Sequence, residues 1–418
     1  MTEQQIIEIV KTKMADRPKI IEMFKNCYSD TLENTIKYGE DGTVFMLTGD
    51  IPAMWLRDST NQLRPYLITA TENGRVRKII EGVMKKQFLC ILRDPYANAF
   101  NECENGAGHQ TDETDMLPDV WERKYEIDSL CYPLQLAYLY WKNTGITRHF
   151  DALFLDALKT VVKVWQTEQN HQENSPYRFN RKGVPCHDNL GTNPVGVTGM
   201  TWSGFRPSDD GCVYGYLIPS NMFAVTVLGY GEEILDLFYN EPELKSQIIG
   251  LKEEIKEGLN KFGKVNDADF GEVYAFEADG LGNVFQMDDA NVPSLLSMPY
   301  FGFCDIDDET YQNTRKWVLS KKNPYYFEGT AACGIGSPHT EENFIWHIGL
   351  AIQGMTTTDK NEKELLLDYF ERTDADTGFV HEGFHKDAPF KLSRPWFSWS
   401  NAMFVEFVLN CCGLEIKK

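Results

Sequence analysis

The chain has 418 residues, of which 42% are hydrophobic and 25% charged, a balance typical of a folded globular protein rather than a disordered or fibrous one. Its 62 acidic and 41 basic residues give a formal net charge of −21, so its electrostatic field repels the phosphates of nucleic acid and the anionic surface of a membrane. We therefore expect neither of these partners, and a neutral or cationic ligand instead.

The amino-terminal segment and the cysteines indicate a cellular compartment. Residues 1–19 mix charges into their apolar positions and lack the hydrophobic run and cleavage site of a signal peptide. No stretch reaches the ~20 apolar residues of a membrane-spanning helix. The ten cysteines include no C-x-x-C pair, which is typical of free thiols in a reducing compartment. These patterns predict a cytoplasmic protein.

Apolar residues recur at the spacing of one helix face along most of the chain. In chain order this pattern predicts helices near residues 3–14, 18–37, 59–70, 75–93, 127–141, 155–165, 219–239, 242–262, 309–319, 342–355, 361–371 and 397–411. Runs of alternating β-branched residues are few and short, and no series of strand–helix–strand units fits, which argues against a parallel α/β barrel. The sequence predicts an all-α fold.

The domain organisation follows from the absence of breaks in composition. No Pro- or Ser-rich linker or low-complexity tract interrupts the chain, which predicts a single domain over residues 1–418. Divided among six helical hairpins, the chain allows about 70 residues for each, which suits an (α/α)6 barrel, a toroid of hairpins with long connecting loops.

Five segments between the predicted helices are rich in aromatic residues, glycines and carboxylates. They are residues 49–59, 94–101, 199–210, 334–339 and 378–384. Loops of such composition commonly bind a ligand. Because alternate connections in a toroid of hairpins meet at one end, we expect the five segments to line one pocket.

Two of these segments carry carboxyl groups suited to glycoside hydrolysis, which needs an acid for the leaving oxygen and, in an inverting enzyme, a base for water. Asp209 is the candidate acid, because the adjacent charge of Asp210 is expected to raise its pKa. Glu382 is the candidate base. An Asp-Asp pair also commonly caps a helix, and with Trp202 and Arg206 nearby the two interpretations of Asp209 and Asp210 are about equally supported.

Other polar residues in or near the loops could bind sugar hydroxyls. Arg57 lies beside Asp58, a pair that can make bidentate hydrogen bonds, although helix capping by Asp58 or Ser59 is slightly favoured on composition alone. Each of the remaining candidates, taken singly, is more typical of a hydrogen-bonded core or cap residue: Asn98, Glu126, Asp128, His339 and His347.

Residues 381–385 match the H-E-x-x-H motif of zinc peptidases, in which two histidines on one helical face bind the metal. Gly383 within the motif and Pro389 after it argue against a helix there. Glu406 could serve as a further ligand, so a metallopeptidase stays open as a minority interpretation.

Seven segments taken together resemble, in order, the signature segments of glycoside hydrolase family 125, the exo-α-1,6-mannosidases. They are TGDIPAMWLRDS at 48–59, DPYANAFN at 94–101, VWERKYEIDSLCYP at 120–133, GMTWSGFRPSDD at 199–210, DDANVPSLLS at 288–297, GIGSPHT at 334–340 and HEGFH at 381–385.

This resemblance implies an (α/α)6 barrel that removes terminal α-1,6-linked mannose from a mannose-containing oligosaccharide with inversion and without metal or cofactor. It implies Asp209 as the acid, with Asp210 as an alternative, and Glu382 as the base. It further implies that Arg206 lies nearer the leaving sugar. The terminal-mannose subsite would be lined by Arg57, Asp58, Asn98, Glu126, Asp128, Gly199, Met200 and one of His339 or His347. An inverting glucosidase of similar architecture and a non-catalytic glycan-binding protein stay open as alternatives.

Overall fold

Helices form most of the regular structure in the computed structural model, which describes residues 1–184 and 193–418. They are α1 (Glu3–Lys13), α2 (Pro18–Asn34), α3 (Leu56–Leu63), α4 (Gly74–Arg93), α5 (Ile127–Thr144), α6 (Ala152–Glu168), α7 (His171–Asn174), α8 (Ile218–Phe238), α9 (Pro242–Phe262), α10 (Met298–Phe301), α11 (Glu309–Val318), α12 (His347–Met355), α13 (Lys360–Thr373) and α14 (Ser398–Cys411). Every predicted helix has a counterpart, and α7 and α10, which were not predicted, have only four residues each.

Short antiparallel strands occupy many of the connections. They are β1 (Ile36–Tyr38), β2 (Val44–Met46), β3 (Met54–Trp55), β4 (Ala99–Phe100), β5 (Val120–Glu122), β6 (Tyr216–Leu217), β7 (Lys264–Asp267), β8 (Gly271–Tyr274), β9 (Glu277–Ala278), β10 (Val284–Phe285), β11 (Tyr326–Glu328), β12 (Cys333–Ile335), β13 (Phe344–Trp346), β14 (Gly383–His385) and β15 (Ala388–Ser393). They pair locally as β1-β2, β3-β4-β5, β10-β9-β6, β7-β8, β11-β12 and β13-β14-β15. The prediction of a helix-dominated chain is confirmed, but it missed these small sheets, because most of the strands have only two or three residues and cannot display an alternating pattern.

The helices divide into two classes by burial. In α3, α5, α8, α10, α12 and α14 most residues are buried, and in α3 and α10 all of them are. In α2, α4, α6, α9, α11 and α13 only part of the surface is buried. The two classes alternate along the chain. Within the buried class, α3 packs against α5 and α14, α5 packs against α8, and α12 packs against α14.

Several buried helices begin directly after a strand. β3 leads into α3, β6 into α8 and β13 into α12. The residues at these junctions are large and apolar, such as Trp55 before α3 and Trp346 before α12, and both are buried. This arrangement gathers the first turns of the buried helices and the ends of the strands in one region, where the charged residues of the predicted loops also lie.

Two further sequence predictions concern membranes and thiols. No helix in the two described ranges has the length and apolarity needed to cross a bilayer. All nine cysteines in these ranges are free thiols. Cys186, the tenth, lies outside the described residues.

The buried helices α12 and α14 approach each other closely at Gly354. A Cβ atom added to Gly354 would lie 2.2 Å from Cε2 of Phe407 on α14. Phe407 is fully buried, so its ring has no free space into which it could move. The absence of a side chain at Gly354 is therefore required by helix packing.

We expect Gly354→Ala to lower the free energy of unfolding by about 1–3 kcal/mol through overpacking, although alanine favours the helix. Urea denaturation followed by circular dichroism measures this change. The matched control is Gly250→Ala on α9, where the glycine is exposed and an added Cβ atom would have no neighbour within 4 Å. This control should stabilise the protein by about 0.5–1 kcal/mol. Equal stabilisation by both variants would contradict the packing argument.

Candidate active site

A cavity of about 450 Å³ opens where the first turns of α3 and α14 meet the loops before β13 and β14. This volume lies within the range of ligand pockets. Its lining includes the aromatic residues Trp55, Phe344, Trp346, Phe397 and Trp399 and the charged or titratable residues Arg57, Asp58, Asp209, His339, Glu341, Glu382, Lys391 and Arg394. Aromatic faces pack on the apolar faces of sugar rings, and planar charged groups hydrogen-bond to hydroxyls. The cavity is therefore suited to a carbohydrate.

The centre of the site is the buried guanidinium of Arg57, in the first turn of α3. Its Nη1 lies 2.6 Å from Oε2 of Glu126 and 3.3 Å from Oδ2 of Asp128, and its Nη2 lies 2.9 Å from Oδ1 of Asp209. Its Nε lies 3.6 Å from Oδ2 of Asp58. A single cation thus holds four carboxyl groups from three parts of the chain. The predicted Arg57–Asp58 pair is present inside the helix, rather than before it.

A second layer of residues lies directly beneath the cavity around Asn98. The Nδ2 of Asn98 lies 3.2 Å from Oδ1 of Asp209 and 3.3 Å from carboxylate oxygens of Glu122 and Glu126. Its Oδ1 accepts a hydrogen bond from the backbone N–H of Lys124 at 3.2 Å. Asn98, Glu126 and the nearby Asp128 are all buried. These predicted site residues support the cavity floor rather than line the cavity.

The backbone of Asp209 adopts a left-handed conformation with a φ of 65°. The neighbouring chain forms a tight turn, in which the backbone N–H of Arg206 donates to the carbonyl of Asp210 at 2.9 Å and that of Asp209 donates to the carbonyl of Arg206 at 2.9 Å. No helix begins here, because α8 starts only at Ile218, so the helix-cap alternative is wrong. The left-handed conformation costs of order 1 kcal/mol and directs the Asp209 side chain towards Arg57.

The ionisation of Asp209 differs from the sequence prediction. Burial raises its pKa, but the Arg57 guanidinium and the Lys124 ammonium outweigh burial and hold the pKa well below its usual range. Asp210 was expected to raise it, yet Asp210 lies 3.4 Å from the His339 ring and accepts a hydrogen bond from Ser208 at 2.9 Å. The prediction from sequence adjacency was therefore wrong, because Arg57 and Lys124, rather than Asp210, control the pKa of Asp209.

Glu382 approaches the cavity from the loop before β14. Its backbone N–H donates to the carbonyl of Arg394 at 3.5 Å, and its carbonyl accepts from the backbone N–H of His347 at 3.3 Å. Burial raises the pKa of the Glu382 carboxyl, while the charges of Arg394 and His339 oppose this increase. The Arg394 Nη1 lies 3.8 Å from Glu382 Oε1. Glu382 is thus a buried carboxyl group with two cations nearby.

The structure separates the two candidate histidines. His339 lines the cavity, and although burial lowers its pKa, the hydrogen bond to Asp210 raises it to about 9. His347 lies behind the cavity, with its Nδ1 accepting from the backbone N–H of His381 at 3.1 Å and its Nε2 3.1 Å from Thr373 Oγ1. Burial lowers the pKa of His347 to about 3. Of the two candidates, His339 therefore lines the cavity and His347 does not.

Three other predicted site residues also lie away from the cavity lining. Gly199 has a φ of 86° and packs against the backbone of Glu254 on α9, and Met200 is fully buried. Arg206 is turned towards Glu277, with its Nε 2.6 Å from Oε1. Their place in the same segment as Asp209 had suggested a site role, but the chain turns between residue 206 and Asp209.

The H-E-x-x-H segment does not form a zinc-peptidase site. His385 lies on strand β14, so the two histidines do not share a helical face. The Nδ1 of His381 lies 2.7 Å from the carbonyl oxygen of Pro395, and Glu406 forms an ion pair with Arg64 at 2.9 Å. Among the described residues, no group of three or more His, Cys, Asp or Glu side chains could hold a metal ion. The metallopeptidase interpretation is wrong.

Most of the aromatic lining residues, and Arg394, were not predicted from the sequence. Arg394 has a φ of 42°, its Nε lies 2.7 Å from Oδ1 of Asp50, and its guanidinium stacks on Phe397 at 4.2 Å. The signal was present in residues 394–400, where Arg394, Phe397 and Trp399 lie just before and within the start of α14. Four of the five loops that were predicted to line one pocket contribute residues to the cavity lining, and the fifth, residues 94–101, contributes Asn98 beneath it.

Comparison with known proteins agrees with this geometry. Residues 17–409 match the sequence profile of the family described as metal-independent alpha-mannosidases, GH125. A Schizosaccharomyces pombe protein, the meiotically up-regulated gene 157 protein, is 35% identical over 438 aligned residues, which cover 97% of this chain and 85% of the relative.

Solved structures extend the comparison to three dimensions. A Streptococcus pneumoniae structure, described as a non-productive complex of a metal-independent alpha-mannosidase with alpha-1,6-mannobiose, is 50% identical with a TM-score of 0.96 and covers 99% of this chain and 98% of that chain. A structure described as a glycosidase has a TM-score of 0.55 at 12% identity, covers 99% of this chain and 100% of its own, and so shares the fold alone. The chain therefore belongs to glycoside hydrolase family 125, the metal-independent α-mannosidases.

Proposed function

We propose that this protein is an inverting exo-α-1,6-mannosidase in which Asp209 is the general acid and Glu382 the general base. The observation that carries the proposal is that both carboxyl groups line one aromatic cavity. The linkage is suggested by the relative with 50% identity, whose structure contains alpha-1,6-mannobiose.

In the proposed reaction, Asp209 donates a proton to the glycosidic oxygen while Glu382 removes a proton from water. The water oxygen bonds to the anomeric carbon as the bond to the leaving oxygen breaks, so the product is β-mannose. The raised pKa of Glu382 makes its carboxylate a stronger base, and the charges of Arg394 and His339 favour its ionised form.

The terminal mannose is bound by the floor and walls around these two carboxyl groups. Arg57 and Asp58 lie in the cavity with charged groups able to hydrogen-bond to neighbouring hydroxyls. Trp55 and Trp399 supply apolar faces for the ring. In this proposal, Asn98, Glu126 and Asp128 act from beneath, by fixing Arg57 and Asp209.

The proposed architecture is a single-domain (α/α)6 barrel over residues 1–418. Six largely buried helices alternate along the chain with six amphipathic ones, as expected when hairpins form an inner and an outer ring. The family profile extends over residues 17–409, which supports one continuous catalytic unit.

The substrate source and compartment are further parts of the proposal. The description of the Streptococcus pneumoniae relative refers to the processing of N-linked glycans, which suggests that N-glycans are the source of the oligosaccharide. The nine cysteines within the described residues are free thiols, which suits a reducing compartment such as the cytoplasm. The net charge of −21 disfavours nucleic acid or an anionic membrane as a partner.

We expect the enzyme to release mannose from α-1,6-mannobiose much faster than from the α-1,2 and α-1,3 isomers, and to do so equally well in EDTA. Chromatographic measurement of mannose gives the rates. Isomaltose serves as the matched glucose substrate with the same linkage. Preference for isomaltose would favour a glucosidase, and binding without turnover of any disaccharide would favour a glycan-binding protein.

The stereochemistry of the product is expected to be inverted. Proton NMR of the first sugar released from α-1,6-mannobiose should show β-mannose before mutarotation produces the α anomer. The same spectrum recorded with added α-mannose and enzyme gives the rate of mutarotation as the control. Initial release of α-mannose would contradict the roles given to Asp209 and Glu382.

The acidic limb of the pH profile should report the ionisation of Glu382, because the base acts only when deprotonated. Removing the positive charge of His339 should raise the pKa of Glu382, so activity should be lost at a higher pH as the solution is acidified. We expect His339→Gln to move the acidic limb of kcat/KM upward by about one pH unit. Lys391→Gln removes another cavity cation, which is paired with Glu341, and should leave this limb in place. Equal shifts in both variants would contradict a local effect of His339.

A further inference from the structure

The carboxyl groups around Arg57 cannot all be ionised together. Asp58, Glu126, Asp128 and Asp209 surround this one guanidinium, with side chains between 0% and 20% exposed. If all four were charged, the group would bury an excess of three negative charges, which is costly in a poorly solvated interior. The nearby cation Lys124 lies closest to Glu122, at 3.2 Å, so it compensates only part of this excess.

Glu126 is the member of the group best placed to hold a proton. Its Oε1 and the Oδ1 of Asp209 lie 3.3 and 3.2 Å from the same Nδ2 atom of Asn98, and both carboxyl groups contact Arg57. Two carboxyl groups held this close repel each other when both are ionised, unless they share a proton. Burial raises the pKa of Glu126 well above its usual range. Burial raises the pKa values of Asp58 and Asp128 only to about 6, because the charge of Arg57 opposes the effect of burial. Of the two carboxyl groups, Glu126 therefore holds the shared proton.

Exposure then determines the route of this proton. The side chain of Glu126 is 0% exposed, whereas that of Asp209 is 20% exposed and lines the cavity. Glu126 cannot reach a sugar in the cavity, and its proton can reach one only through Asp209. The left-handed backbone of Asp209 holds the carboxyl between Glu126 and the cavity.

We propose that Glu126 is a positioning residue that stores the proton used by Asp209, so that the general acid is a hydrogen-bonded carboxyl pair. This inference rests on the proposed function. Glu126 passes its proton to Asp209, and Asp209 passes this same proton to the leaving oxygen, so that both carboxyl groups end the step ionised beside Arg57. The C–O bond to the leaving sugar breaks, and Glu382 takes one proton from the attacking water. After product release, Glu382 loses that proton to solvent and the carboxyl pair regains one through the cavity.

The ionised form of Glu126 is stabilised during this transfer. Its Oε2 accepts hydrogen bonds from Arg57 Nη1 at 2.6 Å and from Ser129 Oγ at 2.8 Å. The other charged or titratable groups that act on Glu126, or on its partners in this group, are Asp58, Glu122, Lys124, Asp128, Cys131, Tyr132, Tyr177, Asp209, Cys212, His339 and Arg394.

The first test compares two substrates with Glu126→Gln. α-1,6-Mannobiose needs a protonated leaving oxygen, whereas α-mannosyl fluoride releases fluoride, a weak base that leaves without one. We expect kcat/KM for mannobiose to fall on the order of 100-fold and that for the fluoride to change little, as should also occur in Asp209→Asn. Equal losses on both substrates would overturn the proposal and make Glu126 a purely structural residue.

The second test uses Ser129→Ala, a buried change on α5 that does not touch the cavity and that favours the helix. Loss of the Ser129 hydroxyl destabilises the ionised form of Glu126, so Glu126 holds its proton more tightly. The alkaline limb of the kcat/KM profile should therefore move to higher pH. Glu126→Gln should move this limb to lower pH, because Asp209 must then hold its proton alone beside Arg57. Shifts in the same direction, or no shift in either variant, would contradict proton storage by Glu126.

The matched control is Asp128→Asn. Asp128 contacts Arg57 at 3.3 Å, as Glu126 does at 2.6 Å, but of the two only Glu126 also shares the Nδ2 atom of Asn98 with Asp209. Asp128→Asn should change the rates for mannobiose and the fluoride by the same factor, and a larger loss on mannobiose would overturn the special role of Glu126. Because wild-type turnover of mannobiose is measured in the same series, failure of the proposed function is seen separately, as inactivity of the unmodified enzyme.

Discussion

The active site depends on one buried cation. Arg57 joins the first turn of α3 to the start of α5 and to the turn that carries Asp209. A buried guanidinium without partners would be prohibitively unfavourable, and buried carboxylates without it would be equally so. The network is therefore stable only when α3, the start of α5 and the turn that carries Asp209 are all correctly assembled. The same contacts set the shape of the cavity floor and the charge of the group facing the substrate.

The two sides of the cavity differ electrostatically in a way that suits the proposed division of roles. Asp209 belongs to a group with more carboxyls than cations, which is where the proposed proton store lies, although Arg57 and Lys124 lower the pKa of Asp209 itself. Glu382 is a single buried carboxyl near Arg394 and His339. An excess of acidic groups retains a proton on one side, and an excess of cations favours a proton acceptor on the other.

The sequence predicted the helices well, because each amphipathic segment displays its periodicity locally, and it predicted the convergence of the loops. The strands between helices, such as β3 and β13, were too short to show a pattern. Residue placement within the loops was less predictable. Arg206 and Asp209 are three residues apart, yet a turn directs one to Glu277 and the other to Arg57. The pKa of Asp209 was likewise beyond local reasoning, since the charges that lower it are on Arg57 and Lys124 rather than on Asp210.

Helix α3 has a second buried arginine just beyond its other end. Arg64 lies 3.1 and 2.9 Å from the two carboxylate oxygens of Glu406 on α14, and 3.1 Å from Oε1 of Gln135 on α5. A helix of eight residues is about 12 Å long, so charged hydrogen bonds anchor α3 at both ends of a short rod. Such a rod cannot slide or rotate without breaking buried ion pairs. The floor beneath the sugar is consequently stiff, and we expect selection among sugars to operate by rigid fit against this floor, with any adjustment to larger glycans confined to the outer loops.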